Sequence, residues 1–266
     1  MRASTLGIAL ACLALTMTGC GSSDSGDDGD SGSTDLNLVS DGTLTVCSDT
    51  PYPPFEVPDD SAPSGFSGFD IDVMQAVADG LGLELAVQDT GFEALQSGLT
   101  LASGQCDIAA SAMTITEERE ANLDFTDAYY DSEQSLLVPS DSDIASIDDL
   151  SGTKVGVQQG TTGKAYTEEN APEGTDIVAF PSDGEMYSAL EAGQVDALLQ
   201  DLPVNVEHTK SGDYTVVEKY KTDEQYGFAV AEDDHDALRE AVNEQLQKLR
   251  DDGTYDKLYD SYFATE

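Results

Sequence analysis

Apolar and polar positions along this chain follow two rhythms that replace one another several times. "GTLTVCSD" at 42–49 alternates over a short run and closes in the turn-rich "TPYPPFE", which predicts a strand and a tight turn. In "GFDIDVMQAVADGLG", Val73 and Val77 recur with Met74, Ala78 and Leu81 at three- and four-residue spacing. That predicts a helix with Asp70 or Asp72 as N-cap and Gly82 as its stop. "LELAVQD" is a second strand, a helical stretch runs near 92–101, and "SGQCDIAASAM" is a strand starting near Asp107.

The same order returns downstream. "TKVGVQQGTTG" (153–163) is a strand and turn, and "GEMYSALEAGQVDALLQD" (184–201) is a helix, a Gly-Gln break and a strand. "SGQCDIAA" and "AGQVDALL" share a Gly-Gln-x-Asp start. Near the end, Leu238, Ala241, Val242, Leu246 and Leu249 mark an amphipathic helix ended by Gly253, followed by a shorter one with Leu258, Tyr259 and Phe263. Strands alternating with helices twice over predict an α/β fold of two lobes. Each lobe is expected to be a mixed, mainly parallel sheet flanked by helices.

The N-terminus is of another kind. "MRASTLGIALACLALTMTGC" carries Arg2, an apolar run from Leu6 to Leu15 and small residues before Cys20, the make-up of a secretory signal peptide (1–19). "MTGC" resembles a lipobox, so Cys20 is the expected lipidation site and the membrane is an expected partner through that anchor. The alternative is an ordinary signal peptide cut nearby. "GSSDSGDDGDSGSTD" is acidic and without apolar residues, so 20–40 is expected to be a lipidated cysteine and disordered linker. Together they predict a body anchored to the outer face of the cell membrane.

Eleven Lys and Arg against 53 Asp and Glu give a net charge of −42. No basic patch exists to neutralise phosphates, so nucleic acid is excluded as a partner. Such charge is tolerated where salt screens it, which points to a saline habitat. Four cysteines are present. Cys12 falls in the signal peptide and Cys20 at the anchor, leaving Cys47 and Cys106 either bridged or packed as small apolar side chains. His208 and His235 have no ligand-spaced neighbours, so neither metal nor cofactor is expected.

Ligands of open α/β sheets sit at the C-terminal ends of strands. Four turns take that position: "DTPYPPF", "TITEER", "QGTTG" and "DLP". Arg119 offers a planar fork for a carboxylate. Thr114, Thr161 and Thr162 offer hydroxyls and backbone donors, and Asp201 accepts from an ammonium. A cation in one lobe and an anion in the other match the two ends of a free α-amino acid. Each residue also has a plainer reading. Arg119 could pair on the surface with Glu117 or Glu118, Tyr52 could pack in its proline turn, Phe92 in the core, and Asp201 could cap the segment after it. "GVQQGTTGKA" lacks the glycine and hydroxyl of a phosphate loop.

"GFDIDVMQAVADGL" (68–81), "YPPFE", "MTITEER", "FTDAYY", "VGVQQGTT" and "LRDDGTYDKLYDSYF" resemble, in order and spacing, the family 3 extracellular solute-binding proteins, the amino-acid receptors of ABC importers. The resemblance covers 41 to about 263. It implies that Arg119 clamps the ligand carboxylate and Asp201 its amino group. It implies that Tyr52 and Phe92 flank the ligand side chain, and that Ser111, Thr114, Gln158 and Thr162 add hydrogen bonds. Ala112 stands where some relatives have serine. Lobe I is then 41–131 with 227–266 and lobe II is 132–226, with hinge crossings near 130–134 and 223–228. A monomer delivering its ligand to an ABC permease is the expected function. Cyclohexadienyl or arogenate dehydratase chemistry and ectoine-type binding are the alternatives on this fold. Of the remaining cations only Lys164 lies near a binding turn, so a basic or uncharged polar side chain is expected, with Asp49 facing a basic one.

Overall fold

In the computed structural model, residues 35–232 and 235–264 are described. The expected signal peptide, the lipidation site Cys20 and the linker up to residue 34 lie outside the described residues.

The first alternating run forms β1 (Thr43–Ser48), buried from Leu44 onward. A small hairpin, β2 (Val57–Pro58) and β3 (Phe66–Ser67), leads into α1 (Phe69–Leu81). The helix takes Gly68 as N-cap rather than Asp70 or Asp72. Gly68 has φ 120°, and a Cβ there would lie 2.2 Å from the Phe55 carbonyl oxygen, so only glycine fits. Asp70 is instead buried and accepts the backbone N–H of Ala112 at 2.8 Å. Gly82 ends the helix in the left-handed region, as its place in the sequence predicts.

β4 (Glu84–Asp89) follows. The helical stretch near 92–101 is two short helices, α2 (Phe92–Gln96) and α3 (Leu99–Ala102), split at Gly98 with φ 77°. Then come β5 (Ile108–Ala109), β6 (Leu123–Phe125) and the long β7 (Tyr130–Pro139). After a 3₁₀ turn at Ile147–Leu150 run β8 (Lys154–Gln158), α4 (Thr162–Asn170), β9 (Asp176–Phe180), α5 (Asp183–Glu191) and β10 (Ala197–Asp201). The chain closes with α6 (Leu202–Thr209), β11 (Tyr214–Tyr226), β12 (Ala229–Ala231), α7 (Asp236–Asp251) and α8 (Thr254–Phe263).

The strands make two five-stranded sheets, ordered β4-β1-β5-β12-β6 and β11-β7-β10-β8-β9, in a two-lobed fold. β1 is parallel to β4 and β5, and β8 is parallel to β9 and β10. The antiparallel pairs involve β12 and β7, where the chain enters a sheet from its far end. Both predicted crossings lie in one ribbon: Tyr130 pairs with Tyr226 and Ser132 with Glu224.

Leu238, Val242, Leu246 and Leu249 of α7 pack on the first core with Phe55, Phe69 and Tyr226, each contributing roughly 1.5–3 kcal/mol through burial. Leu36 and Leu38 pack there too, and Val39 N–H donates to Asp107 at 2.6 Å. Residues 35–40, expected to belong to the linker, are therefore held against the first core, because two leucines on one face find an apolar surface. Cys47 and Cys106 are joined, Cα atoms 5.8 Å apart, which decides between the two readings of that pair.

Candidate functional site

Where β1 ends, Asp49 and the proline turn carry Asp49 and Tyr52 toward the second sheet. α2 begins with Phe92, and β5 runs into Ser111, Ala112 and Thr114. From the other side, β8 delivers Gln158, the start of α4 delivers Thr161 and Thr162, and β10 ends at Asp201. All ten residues singled out from the sequence, together with Ala112, line one cavity. The space between its walls is about 300 Å³, part of it open to solvent, and the walls are drawn together until the centre holds little more than a water-sized body.

Bonds cross the cleft between the two sets of turns. Tyr52 donates its hydroxyl hydrogen to Asp201 Oδ2 at 2.8 Å. Gln158 Nε2 donates to Asp49 Oδ2 at 2.6 Å. Arg119 donates through Nη1 to the Thr114 carbonyl at 2.6 Å and through Nη2 to the Gly160 carbonyl at 3.0 Å. The arginine is 4% exposed and its guanidinium stands 5.1 Å from the centre of the Phe92 ring. It is therefore no surface partner of Glu117 or Glu118. Burial pulls its pKa down, while the charges of Asp201 and Glu224 hold it up.

Asp201 occupies the N-cap position of α6, yet its side chain makes no cap bond. The carboxylate accepts from Tyr52 and, at 2.5 Å, from Gln134 Nε2. Burial pushes its pKa up to about 6, the nearby Glu224 charge adds to the rise, and its hydrogen-bond donors offset part of it. Asp49 is likewise pushed up to about 6, chiefly by burial, against the opposing bond from Gln158. The cavity thus has one guanidinium and two buried carboxyls whose proton affinity is raised, so that a cationic group placed beside them favours their ionised form. Lys164 does not join them: it pairs along its helix with Glu168 at 2.7 Å.

Thr161 caps α4, its hydroxyl accepting Lys164 N–H at 3.1 Å, so the N-terminal turn of a nine-residue helix faces the cavity beside Arg119. That is favourable ground for an anion. Behind the first-lobe wall, Ser111 donates to Glu56 at 2.7 Å and accepts Asp49 N–H at 3.1 Å. Asp70 holds Ala112, whose φ of 44° is sparsely populated for a side-chain-bearing residue. Burial raises the pKa of Glu56 and, next, the charge of Asp70 does. Asp70 itself is pushed up to about 7 by burial.

Two polar residues that motif reasoning passed over, Gln134 and Glu224, also belong here. Thr114 and Thr162 both donate to Glu224. In β11 the even-numbered positions from Tyr220 to Tyr226 are the less exposed ones, so Glu224 shares the inward face with two aromatics, a placement that its acidic stretch of sequence does not signal.

The family described as bacterial extracellular solute-binding proteins, family 3, matches residues 44–265. A probable histidine-binding protein of Neisseria gonorrhoeae is 32% identical over 265 residues, covering 97% of this chain and 94% of its own. Among solved structures, an ancestral arginine-binding protein bound to arginine is 34% identical with a TM-score of 0.77, covering 84% of this chain and 99% of that one. An ancestral amino acid-binding protein described as a precursor of cyclohexadienyl dehydratase is 36% identical with a TM-score of 0.76, covering 84% and 96%.

Proposed function

Because the chain belongs to the family 3 bacterial extracellular solute-binding proteins, we propose that it captures a free amino acid with a basic side chain and passes it to an ABC permease. The observation that carries this reading is the meeting of Arg119 and Asp201, from opposite sheets, in one cavity. The ligand α-carboxylate lies on Arg119 and the backbone N–H groups of the first turn of α4, and its ammonium on Asp201. Tyr52 and Phe92 flank the side chain, with Ser111, Thr114, Gln158, Thr161 and Thr162 adding hydrogen bonds.

A zwitterion balances Arg119 and Asp201 and leaves Asp49 over. A second positive charge on the ligand meets it, and the relatives named for histidine and arginine support that choice. An acidic side chain has no cation to meet, since Lys164 is paired elsewhere. Uncharged polar side chains, bound through Gln158 and Asp49, form the second rank.

The two lobes, 41–131 with 227–266 and 132–226, turn about the β7–β11 ribbon. They part to admit the ligand and close on it, and the closed shape is what the permease recognises. The protein works as a monomer held at the outer face of the cell membrane by a lipid on Cys20, and its acidic surface suits a saline habitat. A thermal-shift panel of the common amino acids and ectoine tests the reading, because a ligand of the folded state raises the melting temperature with RT ln(1 + [L]/Kd). Shifts confined to L-arginine, L-lysine, L-histidine and, more weakly, L-glutamine support it; a shift with L-glutamate alone refutes it.

The second reading is a dehydratase: one similar structure, itself an amino acid-binding protein, is described as a precursor of cyclohexadienyl dehydratase. Asp49 and Asp201, raised to about 6, have the character of general acids. Turnover of prephenate or arogenate by the purified protein decides for that reading.

A further inference from the structure

Glu224 lies on β11, far in sequence from the binding turns, yet it backs the cavity wall. Its Oε2 accepts from Thr114 Oγ1 at 2.7 Å and from Thr162 Oγ1 at 2.8 Å. Gln134 Nε2 has two hydrogens, one for Asp201 Oδ1 at 2.5 Å and one for the Glu224 carboxylate, whose oxygens stand at 3.1 and 3.3 Å. One carboxylate thus joins the turn after β5, the first turn of α4 and the hinge strand β7.

Hydrogens can be counted here. A carboxylate has only lone pairs to offer, and a threonine hydroxyl has one hydrogen and two lone pairs. With their hydrogens committed to Glu224, Thr114 and Thr162 present only lone pairs to the cavity that both line. Gln134 Nε2 also stands 3.3 Å from Thr162 Oγ1, but its two hydrogens are taken by the shorter contacts to Asp201 and Glu224, so Thr162 keeps both lone pairs. Asp201 is an acceptor as well.

Taking the amino-acid reading above as its ground, we propose that Glu224 is a positioning residue that sets the hydrogen-bond polarity of the cavity's cation pole. By holding the hydroxyl hydrogens of Thr114 and Thr162, it makes both oxygens acceptors. With Asp201 they form a set of three matched to the three N–H groups of a primary ammonium. The class selected is the α-amino acid, over the α-hydroxy and α-keto acids with the same side chain, which bring one such hydrogen and none. Glu224 acts at a distance from the ligand, through the two threonines.

Charge points the same way. Asp201 is faced by Tyr52 from the turn after β1, by Glu224 and Tyr226 of β11, by Tyr130 of β7, and by Glu56 and Arg119. Of these, Glu224 is the strongest influence after burial in raising its pKa.

Calorimetric titration of wild type and Glu224→Gln with L-arginine and with its α-keto analogue tests the proposal. The isosteric amide can donate to the threonine oxygens and free their hydrogens toward the cavity. Affinity for L-arginine then falls about tenfold or more, the charge-assisted bonds being the strong ones, while the keto acid holds or gains. An equal loss for both compounds, or no loss, overturns it. In a double-mutant cycle with Thr162→Val, the two losses are less than additive if Glu224 works through that hydroxyl; full additivity overturns it. A wild type that binds none of the amino acids tried counts against the amino-acid reading alone. Glu224 is still tested in that event by hydroxyl-proton NMR of the ligand-free protein: the Thr114 and Thr162 hydroxyl protons, held by Glu224 Oε2, exchange slowly in wild type and fast in Glu224→Ala. Fast exchange of both in wild type overturns the proposal.

Discussion

Tyr52 and Asp201, 149 residues apart in the chain, are joined across the cleft by a 2.8 Å hydrogen bond from the phenol to the carboxylate. A phenol on one side of the cleft therefore orients a carboxylate on the other. Tyr52→Phe keeps the wall and removes the bond. A hydrogen bond of this kind contributes about 0.5–1.5 kcal/mol, more when charged, so amino-acid affinity should weaken roughly two- to tenfold. Calorimetric titration reads this, and unchanged affinity would show the bond to be idle.

Arg119→Ala should lose binding by two or more orders of magnitude, since truncating one member of a buried ionic contact costs about 2–5 kcal/mol. The fold survives, because the guanidinium lines a cavity and bonds to the Thr114 and Gly160 carbonyls rather than filling a core. Circular dichroism checks the fold and titration the binding; retained affinity refutes the assignment.

Asp49→Asn should discriminate by ligand charge. Affinity for L-arginine and L-lysine falls about tenfold, as expected for a buried ion pair that loses one charge, whereas L-glutamine changes little. Competition titrations measure both, and equal losses would remove Asp49 from the side-chain site.

Acid should act in opposite directions on stability and on binding. Asp49 and Asp201, at about 6, and Asp70, at about 7, hold protons more tightly folded than unfolded, where the carboxyl value is 3.8. Between those limits the native state carries more protons, so ligand-free stability rises as pH falls from about 7 toward 4. Affinity for a cationic amino acid falls over the same interval below 6, because Asp49 and Asp201 must ionise to receive it. Melting curves and titrations across this range test both signs.

The Cys47–Cys106 bridge spans a sequence separation of 59 residues. Closing a loop of that size restrains the unfolded chain by roughly 4 kcal/mol in the entropic account. Reduction, or the Cys47→Ser/Cys106→Ser pair, should lower the melting temperature clearly while leaving amino-acid binding in place at low temperature. An unchanged melting temperature would show the bridge to be unimportant.

Much of the site was legible because strand ends are legible. Asp49, Gln158 and Asp201 each close an alternating run, and a guanidinium is rare enough in this chain to single out Arg119. Pairings between distant segments were not legible. Asp70 has the look of a helix cap, and its bond to Ala112 depends on a turn 42 residues away. Glu224 is one acid among many until β11 turns its inward face to Thr114 and Thr162. Leu36 and Leu38 sit beside an acidic run, and only the first core supplies the surface that holds them.

A crystal structure of the protein grown with L-arginine tests the central claim most directly. The α-carboxylate is expected within hydrogen-bond distance of the Arg119 guanidinium, the α-ammonium against Asp201, and the ligand's own guanidinium toward Asp49. Arginine bound in the reverse direction, or outside the cleft with Arg119 and Asp201 untouched, would contradict it.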